Sequence, residues 1–306
     1  MRVAIIGAGV MGSAIATRLL ATGAEVVIRD PSAEKCAALV ALGATTAPTA
    51  RAATAAAGFT LLSLNTAAIV EQAVFGPDGV AEAADGSRLL VDMSSIDPAR
   101  TAAMAARLRQ QTGMGWVDAP LSGGAPAALQ GGLTLMIGGS DHDVARAMPL
   151  LTRLAARCTH LGDSGAGQAV KLVNQVLCAN TFLAVAEAVK FAESMGVDAT
   201  RIPGALAGGR ADSRILQEFM AKMARRDFSP TGRIDNMLKD LETVQAAAWS
   251  QRVPMPLTSL IADLHRMLVA AGLGAADSAE YMRLFEGATA AAPVAESGLR
   301  PLPRVR

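Results

Sequence analysis

Short apolar runs bounded by turn residues recur along the first half of the chain. Arg2–Ile6 (RVAII) and Glu25–Arg29 (EVVIR) come first, and runs at 59–64, 89–93, 116–118, 133–137 and 159–161 follow. Runs this short, with little polar alternation, predict strands buried on both faces. Between them lie segments of helical pattern at Val10–Ala21, 33–42, 98–110 and 143–156. Strands alternating with helices predict an α/β domain, a mostly parallel sheet covered on both sides.

The pattern changes after about Gly162. Residues 166–195 hold no proline, and their only glycine is Gly167 at the start. A helix of that length spans about 45 Å at ~1.5 Å per residue, enough to run from one domain into another. Further helical patterns occupy 214–224, 235–251, 256–270 and 277–285, and no strand pattern interrupts them. The expected organisation is a dinucleotide-sized α/β domain over 1–163 and an all-helical domain over 164–287, opening with the interdomain helix 166–195. Residues 288–306, with Pro293, Pro301 and Pro303 and few large apolar side chains, read as a flexible tail.

Composition narrows the function. The chain has 306 residues, 51% of them hydrophobic and 18% charged, which supports two sizeable cores and excludes a disordered protein. Twenty-eight Lys and Arg against 27 Asp and Glu leave a net charge of +1, so no electrostatic case exists for nucleic acid or an anionic membrane. The uncharged stretch 3–17 is shorter than the ~20 residues of a membrane span, and glycines interrupt it. Cys36, Cys158 and Cys178 lack CxxC spacing, and His142, His160 and His265 lie far apart, so no metal site is read. A reducing, cytoplasmic setting is expected.

Gly7-Ala8-Gly9-Val10-Met11-Gly12 follows a strand and opens a helix. In this GxGxxG turn the first glycine permits the tight bend, the second lets backbone approach a pyrophosphate, and the third allows close helix–strand packing. The N–H groups at the helix start, around Val10 and Met11, then face the phosphates. That context predicts a Rossmann-type doubly wound domain binding a dinucleotide. Asp30 lies 18 residues after Gly12, where an acid bonds the ribose hydroxyls of NAD. The neighbouring Arg29 could instead pair with the 2′-phosphate of NADP, but adjacent strand residues face opposite ways and only one can reach the ribose. NAD is favoured and NADP stays possible.

The chain holds five lysines (Lys35, Lys171, Lys190, Lys222 and Lys239), and every other basic residue is Arg. Lys171 shares one helix face with Asn174, Gln175 and Cys178, while Leu172, Val173, Val176 and Leu177 point elsewhere. A snorkelling surface lysine is the bland explanation. In a chain this biased to Arg, a lysine in an apolar helix suits proton transfer better, because burial can bring its pKa toward neutrality and Arg cannot respond.

Several segments together resemble the β-hydroxyacid dehydrogenase family. The glycine turn GAGVMG, Asp92-Met93-Ser94-Ser95-Ile96-Asp97-Pro98, the loop Asp118-Ala119-Pro120-Leu121-Ser122-Gly123-Gly124, the Gly167–Asn174 segment GxxxKxxN and Lys239-Asp240-Leu241 occur in the family's order and spacing. The resemblance runs from about Arg2 to Phe285. It implies that Ser122, Gly123 and Gly124 hold a substrate carboxylate, that Lys171 is the general acid–base, and that Asn174 orients the reacting oxygen. It also implies that Asn65, Thr66 and Ser95 line the cofactor site beside Gly7, Gly9, Val10, Met11, Gly12 and Asp30, and that Lys239 closes over the cofactor.

The implied reaction is hydride transfer between a nicotinamide and the carbon bearing a hydroxyl, on a short 3-hydroxy acid or its semialdehyde. The KLxNQ form, with Gln175 where 3-hydroxyisobutyrate dehydrogenases commonly carry a second Asn, is closer to tartronate semialdehyde reductases. 3-Hydroxyisobutyrate or threonate-type oxidation is the alternative. A catalytically silent dinucleotide-binding scaffold is the reading from another class, and retention of Lys171 and the Ser-Gly-Gly loop weighs against it. The resemblance also implies a homodimer or homotetramer.

Overall fold

The computed structural model describes residues 1–286. The tail expected at 288–306 lies outside the described residues. The α/β portion comprises β1 (Arg2–Ile6), α1 (Val10–Ala21), β2 (Glu25–Arg29), α2 (Ala33–Ala41), β3 (Thr45–Thr46), α3 (Ala50–Ala55), β4 (Phe59–Leu62) and α4 (Ala67–Phe75). It continues through β5 (Leu89–Asp92), α5 (Pro98–Thr112), β6 (Gly115–Asp118), β7 (Leu121–Ser122), α6 (Gly124–Gln130), β8 (Leu133–Ile137), α7 (Asp141–Leu151) and β9 (Ala155–His160). After it come α8 (Ala166–Ser194), α9 (Ile202–Leu206), α10 (Arg214–Ala224), α11 (Ile234–Ser250), α12 (Pro256–Leu268) and α13 (Arg283–Glu286).

Six strands form one parallel sheet in the order β3-β2-β1-β4-β5-β6. This is the doubly wound order whose topological switch, between β1 and β4, opens a crevice at the strands' carboxyl ends. Successive strand residues enter different cores, as a period of two requires. Ile5, Leu61 and Leu89 pack with Ile15 and Leu19 of α1 on one face, and Ile6, Leu62 and Leu90 with Val70, Val74 and Leu108 on the other. Both faces are therefore covered, which is why the strands read as continuous apolar runs. A second sheet, β7-β8-β9, pairs β7 and β8 antiparallel and β8 and β9 parallel.

The differences from the sequence expectation are local. α7 begins at Asp141 because Ser140 caps it, and it ends at Leu151, so that 155–160 is strand where helix was expected to 156. Helices α3, α4 and α6 and the two-residue strands β3 and β7 carry too little periodic pattern to be read.

By its contacts the chain divides into two compact units, Met1–Leu177 with Asn236–Ser259, and Cys178–Asp235 with the described part of Leu260–Arg306. The division falls inside α8. In the second unit, Phe182 meets Phe219 edge to face at 4.7 Å, and buried His265 bonds the Tyr281 hydroxyl at 2.6 Å. Lys222 pairs with buried Asp277 at 2.8 Å, and that carboxylate also takes the N–H groups of Thr231 and Gly232.

Candidate active site

The contacts described below for the candidate site join residues of the first unit. Its first component is the turn from β1 into α1. Gly7 has φ +106°, a conformation that favours glycine, and a Cβ there would strike the Ser63 carbonyl. A Cβ at Gly12 would strike the Gly7 carbonyl, so these two glycines are required by packing. Gly9 differs, since a Cβ there meets no protein atom within 4 Å. Helices α2, α3, α4, α5 and α7 begin with a side-chain cap, from Ser32, Thr49, Thr66, Asp97 and Ser140 respectively. Helix α1, preceded by Gly9 in the capping position, has no side-chain cap and no acid in its first turn. Val10 in its first turn is 78% exposed, and the first N–H groups of a helix have no intrahelical partner. A pyrophosphate fits that cradle, where backbone donors and the helix dipole converge on an approach clear of side chains.

Asp30 stands beside this turn. Its carboxylate accepts the Ala8 N–H at 2.8 Å and the Ser32 N–H at 2.9 Å, which fixes the acid at the carboxyl end of β2. Arg29 donates to the Asp30 carbonyl at 3.0 Å. Exposed Asn65 and Thr66 follow β4, and the Thr66 hydroxyl is engaged as the cap of α4.

The second component centres on Lys171 of α8, which is buried. Its ammonium donates to the Leu121 carbonyl at 2.9 Å and to Gln175 Oε1 at 2.8 Å. Leu121 immediately precedes Ser122, Gly123 and Gly124, so the lysine sits against the turn expected to take a carboxylate. Gly123 has φ +124° and Gly124 φ +67°, positive values that favour glycine. Asn174 donates to the same Gln175 oxygen at 2.9 Å. Gln175 Nε2 in turn donates to Asp240 at 2.5 Å.

The third component holds the loops after β4 and β5. Lys239 of α11 donates to the carbonyls of Asn65 at 3.3 Å and Ser95 at 3.0 Å, and pairs with Asp240 at 2.9 Å. Buried Gln168 donates to the Ser94 carbonyl at 2.7 Å and accepts the Ile96 N–H at 3.2 Å. The Ser94 hydroxyl accepts the Leu64 N–H at 3.0 Å. Asp118 receives the N–H groups of Gly165 (2.8 Å) and Gln168 (3.1 Å), closing the start of α8. Burial raises the Asp118 carboxyl above its usual range, against the pull of those donors. Asp92, its partner across β5 and β6, is pushed up to about 7 by complete burial, with Ser94 pulling the other way and the Asp118 charge adding to the rise.

One hydrogen-bonded network thus joins Lys171, Asn174, Lys239 and the backbone of Leu121, Asn65 and Ser95. Gly7, Gly9, Val10, Met11 and Gly12, with Asp30, form the neighbouring cradle at the β1–β4 switch. Sequence reading assigned no role to four side chains of this framework: Asp118, Gln168, Gln175 and Asp240. The signals present were Gln175 one turn beyond Lys171, and Asp240 beside Lys239. Among the described residues no cluster of His, Cys, Asp and Glu could hold a metal ion. Helix α8 is long and apolar enough to cross a bilayer by length and composition, yet its Gln168, Lys171 and Gln175 are bonded within this unit.

Residues 2–162 match the family model described as the NAD binding domain of 6-phosphogluconate dehydrogenase. Residues 165–285 match that described as NAD-binding of NADP-dependent 3-hydroxyisobutyrate dehydrogenase. The chain is 33% identical over 288 residues to 2-hydroxy-3-oxopropionate reductase of Escherichia coli, covering 94% of this chain and 97% of the relative. It is 32% identical over 290 residues to 2-(hydroxymethyl)glutarate dehydrogenase of Eubacterium barkeri, covering 94% and 96%. A solved 3-hydroxyisobutyrate dehydrogenase from Salmonella typhimurium matches with a TM-score of 0.83 at 30% identity, covering 93% of this chain and all of that one.

Proposed function

The chain belongs to the β-hydroxyacid dehydrogenase family of NAD(P)-dependent oxidoreductases acting on a hydroxyl group, and on that premise we propose that it interconverts a short 3-hydroxy acid and its semialdehyde. Tartronate semialdehyde (2-hydroxy-3-oxopropionate) is the leading substrate. The observation that carries this reading is the Lys171 ammonium, 2.9 Å from the Leu121 carbonyl and so against the Ser122-Gly123-Gly124 turn. A substrate carboxylate held by the Ser122 hydroxyl and the N–H groups of that turn brings its oxygen-bearing carbon toward Lys171.

When bound, the nicotinamide supplies or accepts the hydride. Lys171 gives a proton to the oxygen in reduction and, as the neutral amine, removes it in oxidation. Asn174 orients that oxygen. Lys239 secures the loops carrying Asn65 and Ser95, which with Thr66 line the cofactor site. The family models divide between residues 162 and 165, which supports a cofactor domain over 1–163 and a substrate and oligomerisation domain over 164–287.

NAD is the preferred cofactor in this reading. The Asp30 carboxylate, fixed at the end of β2, accepts ribose hydroxyls and repels a 2′-phosphate, while Arg29 is tied to the Asp30 carbonyl. Exposed Phe191, Met195 and Met267 of the second unit support association into a homodimer or homotetramer. Balanced charge and three cysteines without CxxC spacing support a cytoplasmic setting.

The test follows absorbance at 340 nm with NADH and then NADPH against tartronate, succinic and methylmalonate semialdehydes, with Lys171→Ala alongside. Tartronate semialdehyde with NADH is expected to give the highest kcat/KM. Loss of a general acid–base should lower kcat by about 10²–10⁴-fold with NADH binding retained. Turnover indifferent to Lys171, or cofactor binding without turnover on any of these acids, would overturn the reading.

A further inference from the structure

Two buried, oppositely charged side chains of this network share one neutral amide. Lys171 and Asp240 are both buried, yet the side chain of Gln175 stands between them. Its orientation follows from its neighbours. Oε1 receives two donors, Lys171 Nζ at 2.8 Å and Asn174 Nδ2 at 2.9 Å. Nε2 faces Asp240 Oδ2 at 2.5 Å and Met237 Sδ at 3.7 Å. Reversing the amide would turn its N–H groups toward two donors and its oxygen toward a carboxylate. The other Asp240 oxygen pairs with Lys239, whose ammonium also reaches the Ser95 and Asn65 carbonyls.

We propose that Gln175 is the positioning residue of Lys171: its amide holds the ammonium against the Leu121 carbonyl and keeps the Asp240 carboxylate one amide group away. The proposal rests on Lys171 being the acid–base group. A carboxylate in direct contact would stabilise the protonated lysine and oppose its release of a proton in each turnover. Coulomb attraction falls with distance, so the inserted amide weakens that hold while the two hydrogen bonds retain the geometry. Lys239 compensates the Asp240 charge from the opposite side. The length of glutamine matters, because asparagine is one methylene shorter and cannot span from Lys171 to Asp240 without drawing one of them in.

The experiment measures kcat against pH in the oxidative direction for wild type, Gln175→Glu, the double variant Gln175→Glu/Asp240→Asn, Asp240→Asn and Lys171→Ala, with melting temperature and NADH affinity for each. Oxidation needs neutral Lys171, so the rate climbs as pH passes its pKa. A carboxylate at 175 is expected to move that limb upward by about one to three pH units. The double variant removes the repulsion between two neighbouring acids and should keep the upward shift. Asp240→Asn alone should move the limb by less than either.

A limb unmoved in the double variant, or moved as far by Asp240→Asn alone, overturns the proposal even if kcat or melting temperature changes. Lys171→Ala separates the two readings. If that variant turns over like wild type, the assignment of Lys171 fails. If it is inactive and the limb is still unmoved by Glu at 175, only the role of Gln175 falls.

Discussion

Two helices of the first unit begin with the same tripeptide and meet opposite fates. Gly7-Ala8-Gly9 leads into α1, and Gly165-Ala166-Gly167 leads into α8. At α8 the protein supplies its own anion. The buried Asp118 carboxylate takes the Gly165 and Gln168 N–H groups, and a Cβ on Gly167 would strike the Met136 carbonyl and come within 2.8 Å of Asp118. At α1 no side chain caps the helix, and a Cβ on Gly9 meets nothing. A glycine-rich helix start marks an anion site only where the fold has not already filled it.

The contrast can be broken most sharply at the third residue of each tripeptide. Gly167→Ala forces a methyl into backbone and should lower the melting temperature by about 10 °C or more, read by calorimetry. An unchanged melting temperature would mean that α8 does not start against β8 and Asp118. Gly9→Ala should leave the melting temperature within about 2 °C and weaken NADH binding by about tenfold or more, read by fluorescence titration, because the methyl stands where backbone must approach the pyrophosphate. Wild-type affinity in Gly9→Ala would remove the turn from the cofactor site.

The smallest effect sharpens the charge balance beneath α8. Asp118 has a neighbour, Asp92, whose carboxyl is held up at about 7 by burial, against 3.8 for a free one. The folded state therefore keeps this proton between about pH 4 and 7, where the unfolded chain has lost it. That contribution is fully present below pH 4 and is lost as pH rises through 7, at up to about 1.4 kcal/mol per pH unit. Asp92→Asn carries no such charge. Its melting temperature relative to wild type should rise by several degrees between pH 5 and pH 8. A difference constant with pH would show that Asp92 titrates alike in both states.

Strands β1, β2, β4, β5, β6 and β8 were legible because burial leaves continuous apolar runs, and the glycine turn because each glycine serves a local need. Helices α3 and α6 were not legible, being short and Ala-rich with little amphipathic pattern. Lys171 was found by its helix face, and Lys239 by resemblance. What escaped was the pairing that makes them one network. Gln175 looked like a family marker and Asp240 like the second letter of a motif, because their meeting spans 65 residues. The Asp118 cap spans 47 residues and uses an acid that the sequence offers only as the first residue of a loop.

By itself the sequence determined which residues share a face, which turns demand glycine, and the order of the longer strands and helices along the chain, since these depend on periodicity and backbone sterics over a few residues. Only the tertiary structure decided which helix start is filled and which is open, and that a glutamine stands between Lys171 and Asp240. Those outcomes depend on sheet order and on packing between distant segments. A carboxylate 47 or 65 residues away leaves no local trace of the group it will reach.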